Sequence, residues 1–256
     1  MNLLKNYEPS ELKNNNSSSY FLIKNALDAN EYSEMLHNYP DQETCKKHYI
    51  ARTGELKGDP NRYDIFPEDI LEGSFSPVLK SFIKRHAHKD FIHQLIDIFK
   101  LNPKLKNLPV KTGEFANAKS SNAIISSVNI GVNFPRAEKP RGIHLDLQSS
   151  AVVGLFYLRR EDDESSGGDL DFFSYKDNET RKKYHAIGRN NFNKHFKGKS
   201  SHEDLIKINT IKYEANTCVF FKNNMDAIHA VTDRKNAKVQ RNLVNIYFTF
   251  SSQENL

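Results

Sequence analysis

From Ala123 onward the apolar residues fall in short runs with the period of strands. AIISSVNIGVNF (123–134), SSAVVGLFYLRR (149–160), GGDLDFFSY (167–175), LIKINTIKY (205–213), NTCVFFKN (216–223), AIHAV (227–231) and RNLVNIYFTF (241–250) are β-branched or aromatic, with turn-forming residues between them. That combination predicts consecutive β-strands, and no helical period is read between them. Ahead of them the pattern is helical. ALDANEYSEMLHNYP (26–40) reads as a capped helix stopped by Pro40, and Ser76-Pro77 opens a second helical stretch that continues with breaks to about Lys100. Within it Phe91, Ile92, Leu95, Ile96 and Phe99 make one apolar face suited to packing on a sheet. Arg52 to Phe66 carries turn signals and no clear period.

Helices first and strands afterwards predict a mainly β protein with N-terminal helices, its core a double-stranded β-helix of the jelly-roll, cupin-like kind, with the helices on its outer face. At 256 residues the chain suits one decorated domain. Residues 1–19, rich in Asn, Lys and Ser, read as a flexible arm. Residues 20–256 read as a single domain, with helical support over 20–118 and the jelly roll over 119–252, interrupted by a polar insert at 174–204.

Composition narrows the function classes. No stretch approaches about 18 apolar residues and the start lacks a secretory pattern, so the expectation is a cytoplasmic protein without membrane spans. Two cysteines, Cys45 and Cys218, fit a reducing compartment. The net charge of +5 permits an anionic partner. Nucleic acid is disfavoured, because basic and acidic residues intermix outside the insert and no aromatic-basic RNA motif occurs.

The candidate chemistry lies in Arg141-Gly-Ile-His144-Leu-Asp146. In extended chain His144 and Asp146 share a face, so both can bind one metal ion. His229, opening a later strand, completes a set of two imidazoles and one carboxylate, the donors that suit ferrous iron with open positions. Such an ion keeps a net positive charge and favours a bidentate dianion such as a 2-oxo acid. Arg241, at the start of the last strand, is the fork that would hold the distal carboxylate, with Arg234 its rival. Each residue also has an ordinary reading: His-x-Asp recurs by chance, a lone histidine is usually a core residue, and a lone arginine a surface cation. Their joint order in a strand-rich half favours the metal site.

GIHLD, SGGDLDFF, NTCVFFKNNMDAIHAVTDR and QRNLVNIYF together resemble the Fe(II)/2-oxoglutarate-dependent dioxygenases, in particular the bacterial and phage branch similar to prolyl 4-hydroxylases. The resemblance covers about residues 120–250. It implies that His144, Asp146 and His229 ligate Fe(II), that Arg241 grips 2-oxoglutarate, and that O₂ is the oxidant in hydroxylation of an unactivated C–H with release of succinate and CO₂. Asp146 argues against the related halogenases, where a small residue stands in its place. Relatives often carry Ser or Thr where this chain has Leu243, so a second hydrogen bond to the co-substrate must come from elsewhere. The insert holds eight Lys/Arg between Lys176 and Lys199 (176, 181, 182, 183, 189, 194, 197 and 199) against Asp177 and Glu179, and reads either as a solvated loop or as a lid selecting an anionic substrate. VNIGVNF and the insert are expected on the substrate side. The substrate is a small molecule or a peptide, and the oligomeric state is open. The alternative function is a non-catalytic jelly-roll module that binds metal or sugar.

Overall fold

The computed structural model describes residues 2–8, 13–15, 18–54, 62–114, 122–134 and 141–250. In chain order these form β1 (Lys13–Asn15), β2 (Ser18–Lys24), α1 (Ala29–His37), α2 (Gln42–Thr53), β3 (Arg62–Ile65), α3 (Pro67–Glu72), α4 (Pro77–His86), α5 (Lys89–Ile98), a 3-10 turn at Pro103–Asn107, and β4 (Val110–Thr112). Then follow β5 (Ile124–Asn133), β6 (Ser150–Tyr157), β7 (Leu170–Tyr175), α6 (Asn178–Phe196), β8 (Leu205–Ile211), β9 (Thr217–Lys222), β10 (Ile228–Val231) and β11 (Arg241–Phe250).

The larger sheet runs β1-β2-β9-β6-β11-β5-β3, with β4 added parallel to β5, and the smaller runs β10-β7-β8. Residues 141–144 extend the smaller sheet: His144 and His229 exchange both backbone hydrogen bonds, at 2.9 and 3.1 Å, and the Val231 N–H donates to the Arg141 carbonyl. The jelly-roll expectation is met.

Strand alternation explains why the larger sheet is buried on both faces. In β9, Cys218 and Phe220 join the core beneath the helices, while Val219 and Phe221 face the smaller sheet alongside Leu170, Phe172 and Ile211. The helical face is filled by Met35, Leu79, Phe82, Phe91 and Leu95 against Phe156, Val244 and Ile246. Local chemistry starts these helices where the sequence indicates. The Asp28 carboxylate accepts from the Glu31 N–H at 2.9 Å at the head of α1, and Pro77 takes the first turn of α4.

Two segments differ from their sequence reading. Within the stretch read as a loose arm, Leu3 and Leu4 are buried, and β1 pairs with β2, which in turn pairs with β9. Residues 9–12 and 16–17 lie outside the described residues. Average polarity hid a leucine pair that has its own slot in the core, anchored where the Leu3 N–H donates to His86 Nε2 at 3.0 Å. The insert is a helix rather than a loop. Asp177 caps α6 by accepting from the Thr180 N–H at 2.7 Å, and Tyr184, Phe192 and Phe196 are buried against Ile143 and Leu145. Its charge excess is also reduced by acids beyond the basic run, since Lys176 and Lys183 reach Asp204 at 2.8 and 3.1 Å and Arg181 reaches Asp226 at 2.8 Å. Among the described residues no helix is long and apolar enough to cross a membrane.

His86 gives a prediction about stability. Complete burial pushes its imidazole down to about 3, so it stays neutral in the folded protein while the unfolded chain takes up a proton near pH 6.5. Its contribution is therefore present above pH 6.5 and declines as pH falls toward 3, by about 1.4 kcal/mol per pH unit. Urea unfolding between pH 7 and pH 4.5 should show this slope in wild type and a shallower one in His86→Gln; equal slopes would count against the assignment.

Candidate metal centre

His144, Asp146 and His229 converge as the sequence order suggests, although they come from two different chain segments. The antiparallel bridge between 144 and 229 sets the two imidazoles side by side, with ring centroids 4.1 Å apart. Asp146, two residues on, turns its carboxylate between them, 3.7 Å from His144 Nε2 and 3.4 Å from His229 Nε2. One donor atom from each residue lies within 4.8 Å of the others, and all three residues are buried.

The outer contacts fix the tautomers. His144 Nδ1 sits 2.7 Å from the Gly142 carbonyl and His229 Nδ1 2.9 Å from the Ala227 carbonyl. A carbonyl only accepts, so each Nδ1 carries a proton and each Nε2 is turned to the site, where a neutral ring has a lone pair, the arrangement of a metal-ligating histidine. His144 Nε2 is buried and has no hydrogen-bond partner, which is costly unless something binds there. Burial above all, with His229 and Arg141 nearby acting in the same direction, holds the His144 imidazole well below its ordinary range and hence neutral. Burial of Asp146 opposes its ionisation, yet His229, Arg141 and His144 outweigh it and hold the carboxyl well below the usual carboxylate range. The donor set fits a divalent ion.

The same cavity contains Arg241, 5% exposed. Its guanidinium lies 4.7 Å from the Tyr213 ring centre and 5.2 Å from that of Tyr157; Nη2 donates to the Gly168 carbonyl at 2.9 Å, Nη1 reaches Asn133 Oδ1 at 3.3 Å, and Nε has no partner. No carboxylate among the described residues pairs with it. Arg234, its rival, also lines the cavity and has Nη1 unpartnered, but it has a carboxylate partner: Nη2 bridges both Asp163 oxygens at 3.0 Å and Nε donates to Ser165 Oγ at 3.0 Å. The glycine pair makes room for both arginines. Gly168 has φ +74°, and a Cβ there would lie 2.9 Å from Arg234 Cγ and 3.3 Å from Arg241 Nε.

Leu155, Leu170, Val231 and Leu243 give the cavity apolar walls, and Arg62, Asn133, Arg141, Thr232, Arg234, Asn245 and Tyr247 complete its polar surface. Of the two segments expected on the substrate side, VNIGVNF contributes Asn133 and Phe134, whereas no insert residue lines the cavity. Asn245, which the sequence reading passed over, is fully buried with neither its amide nitrogen nor its oxygen partnered. It stands in the row Arg241, Leu243, Asn245, Tyr247 of β11, all four of which line the cavity.

No protein-family model and no curated protein matches the sequence. Solved structures do resemble the fold. One is SnoK, a non-heme α-ketoglutarate-dependent carbocyclase from nogalamycin biosynthesis, with TM-score 0.51 and 12% identity over 98% of this chain and 86% of that one. Another is SnoN, the α-ketoglutarate-dependent epimerase of the same biosynthesis, with TM-score 0.50 and 11% identity over 92% and 77%. A prolyl 4-hydroxylase from Phytophthora capsici aligns at TM-score 0.48 and 12% identity over 92% of this chain, which spans 61% of that chain's length. The structural neighbours are thus prolyl 4-hydroxylases and other non-heme 2-oxoglutarate-dependent oxygenases, a bacterial prolyl 4-hydroxylase among them. The chain shares the double-stranded β-helix fold of SnoK and SnoN.

Proposed function

We propose that this protein is an Fe(II)- and 2-oxoglutarate-dependent oxygenase that hydroxylates an unactivated C–H bond of a small-molecule or peptidyl substrate, releasing succinate and CO₂. What supports the reading most directly is one cavity that holds both a buried His-Asp-His set with a bare imidazole lone pair and a buried guanidinium lacking a carboxylate partner. An unpaired buried charge is expensive, and a ligand carboxylate would compensate it.

His144, Asp146 and His229 would hold the iron, which when bound supplies the oxygen activation that side chains lack. Two neutral imidazoles and one carboxylate leave a divalent ion net positive, which suits a dianionic co-substrate. Arg241 orients its distal carboxylate through a planar fork that β11 holds rigidly. Tyr157, whose hydroxyl is buried and unpartnered and whose ring centre lies 5.2 Å from that guanidinium, is the residue we assign to the hydrogen bond that Leu243 cannot make; burial pushes its hydroxyl up to about 12, so it remains a neutral donor. Leu155, Leu170, Val231 and Leu243 exclude water from the reacting region. Asn245 offers an amide donor and acceptor to the substrate, while Arg62 and Arg141 line the cavity already paired with Asp64 and Asp146.

The test is to load the purified protein anaerobically with Fe(II), add 2-oxoglutarate and ¹⁸O₂ with panels of peptides and small acids, and follow succinate together with the mass of each candidate. Iron-dependent succinate formation and one ¹⁸O in a product are expected. Absence of both 2-oxoglutarate binding and succinate formation would refute the reading.

A further inference from the structure

β7 and β8 are antiparallel neighbours that a short hairpin could join, yet the chain between them builds α6. The helix is kinked at Gly188, whose φ of +75° breaks the helical path, and an added Cβ there would meet nothing within 4 Å. The kink is thus not forced by crowding at that residue. Its consequence is directional: beyond it, Arg189, Phe192, Asn193 and Phe196 follow at helical spacing and meet the segment that carries two of the three metal-site residues.

That contact is made through the main chain. Asn193 Oδ1 accepts from the Leu145 N–H at 2.8 Å and its Nδ2 donates to the Leu145 carbonyl at 2.9 Å, so one side chain clamps both backbone groups of the residue between His144 and Asp146. Arg189, 8% exposed, donates from Nη1 to the Asp146 carbonyl and, at 2.9 Å, to Asn223 Oδ1. Asn223 in turn donates to the Leu147 and Ser150 carbonyls at 2.7 and 2.8 Å. Phe192 and Phe196 pack with Ile143 and Leu145, and just past the helix the Lys199 carbonyl accepts from the Ile143 N–H at 2.7 Å.

We infer that α6 braces the metal centre: Asn193 and Arg189 are positioning residues that fix the 143–147 backbone so that His144 and Asp146 share one ion. His144 is already tied to His229 on one side by the sheet. Asp146 lies past the bridge, so its backbone is placed from the α6 side, while its carboxylate meets the half-exposed Arg141 at 3.1 Å. A segment held on one edge only would let the carboxylate drift, and loss of outer contacts of this kind typically weakens metal binding by about 10- to 100-fold.

The inference rests on the metal-site reading, so the experiment separates the two. Co(II) binding to the metal-free full chain is measured by calorimetry and by the Co(II) visible spectrum, for wild type, His144→Ala, Asn193→Leu, Gly188→Ala and Lys182→Glu. Asn193→Leu keeps the volume and removes both hydrogen bonds; Gly188→Ala touches no metal-site atom and acts through the kink, so it serves if Asn193→Leu does not fold. Expected are a Co(II) affinity about 10- to 100-fold weaker with an altered spectrum in Asn193→Leu, a smaller loss in Gly188→Ala, and wild-type behaviour in Lys182→Glu. Lower melting temperatures with wild-type Co(II) affinity and spectrum in both helix variants would overturn the brace and leave the metal site standing. Wild type and His144→Ala that both fail to bind Co(II) would overturn the metal site, and the brace with it.

Discussion

Replacing Asp146 by Ala is expected to abolish iron-dependent 2-oxoglutarate turnover while the protein stays folded. The carboxylate is the only anionic donor in the set, and it stands between the two imidazole rings at 3.7 and 3.4 Å. Without it two imidazoles remain, too few to hold a labile divalent ion, so the loss should exceed the ~100-fold typical of a missing outer contact. The fold survives because the position is secured by other bonds: Arg189 holds the Asp146 carbonyl and Asn193 holds Leu145. The carboxylate's remaining partner, Arg141, is half-exposed and can be rehydrated. His144→Ala and His229→Ala should behave alike. Thermal melting gives a readout independent of turnover, since an ion at 100 times its dissociation constant stabilises the folded state by about 2.7 kcal/mol. Wild type should show that rise on adding Fe(II) or Co(II) and the three variants should not. Full turnover in any one of them would remove that residue from the site.

The parts of this molecule that were legible in the sequence are those whose signal is local. Each strand of the jelly roll is a compact apolar run bounded by turn residues, and in a strand buried on both faces such a run requires no partner information to be read. His144 and Asp146 were legible because period two places both on one face, and His229 because a histidine opening a strand completes a recognisable donor set. The illegible parts depend on contacts distant in the chain. In α6 the buried aromatics Tyr184, Phe192 and Phe196 are set among Lys, Arg and Asn, and the Gly188 kink breaks the period that would have joined them. Leu3 and Leu4 are a short apolar pair in a polar stretch until His86 accepts the Leu3 N–H. Asn245 reads as an unremarkable strand residue until its surroundings are seen to leave both amide atoms without partners. The basic insert misled in a different way. Its counter-charges, Asp204 and Asp226, lie at or beyond its edge, so counting charges within a window overstated the positive field.

Arg241→Lys is expected to weaken 2-oxoglutarate binding by about 10- to 100-fold, on the scale of 1–3 kcal/mol for hydrogen bonds to charged groups. The substitution keeps the charge, so any loss reports on geometry. In wild type the guanidinium plane lies near two tyrosine rings and is steadied by the Gly168 carbonyl and the Asn133 side chain, with Nε unpartnered. An ammonium on a flexible stem keeps neither the plane nor the paired donors, and it is more strongly hydrated, so placing it in this buried position costs more. Arg241→Met removes the charge as well and should weaken binding further, with the metal affinity of the co-substrate-free protein unchanged because Arg241 touches none of the three donor residues. Arg234→Lys supplies the control. That guanidinium is spent on Asp163 and Ser165 inside the fold, so its replacement should lower thermal stability by breaking a buried pair while the folded fraction binds 2-oxoglutarate as wild type does. Calorimetric titration of 2-oxoglutarate into the Co(II)-loaded variants measures all three. Wild-type affinity in Arg241→Lys combined with a loss in Arg234→Lys would exchange the two assignments, and the clamp would then belong to the loop before β11 rather than to its first residue.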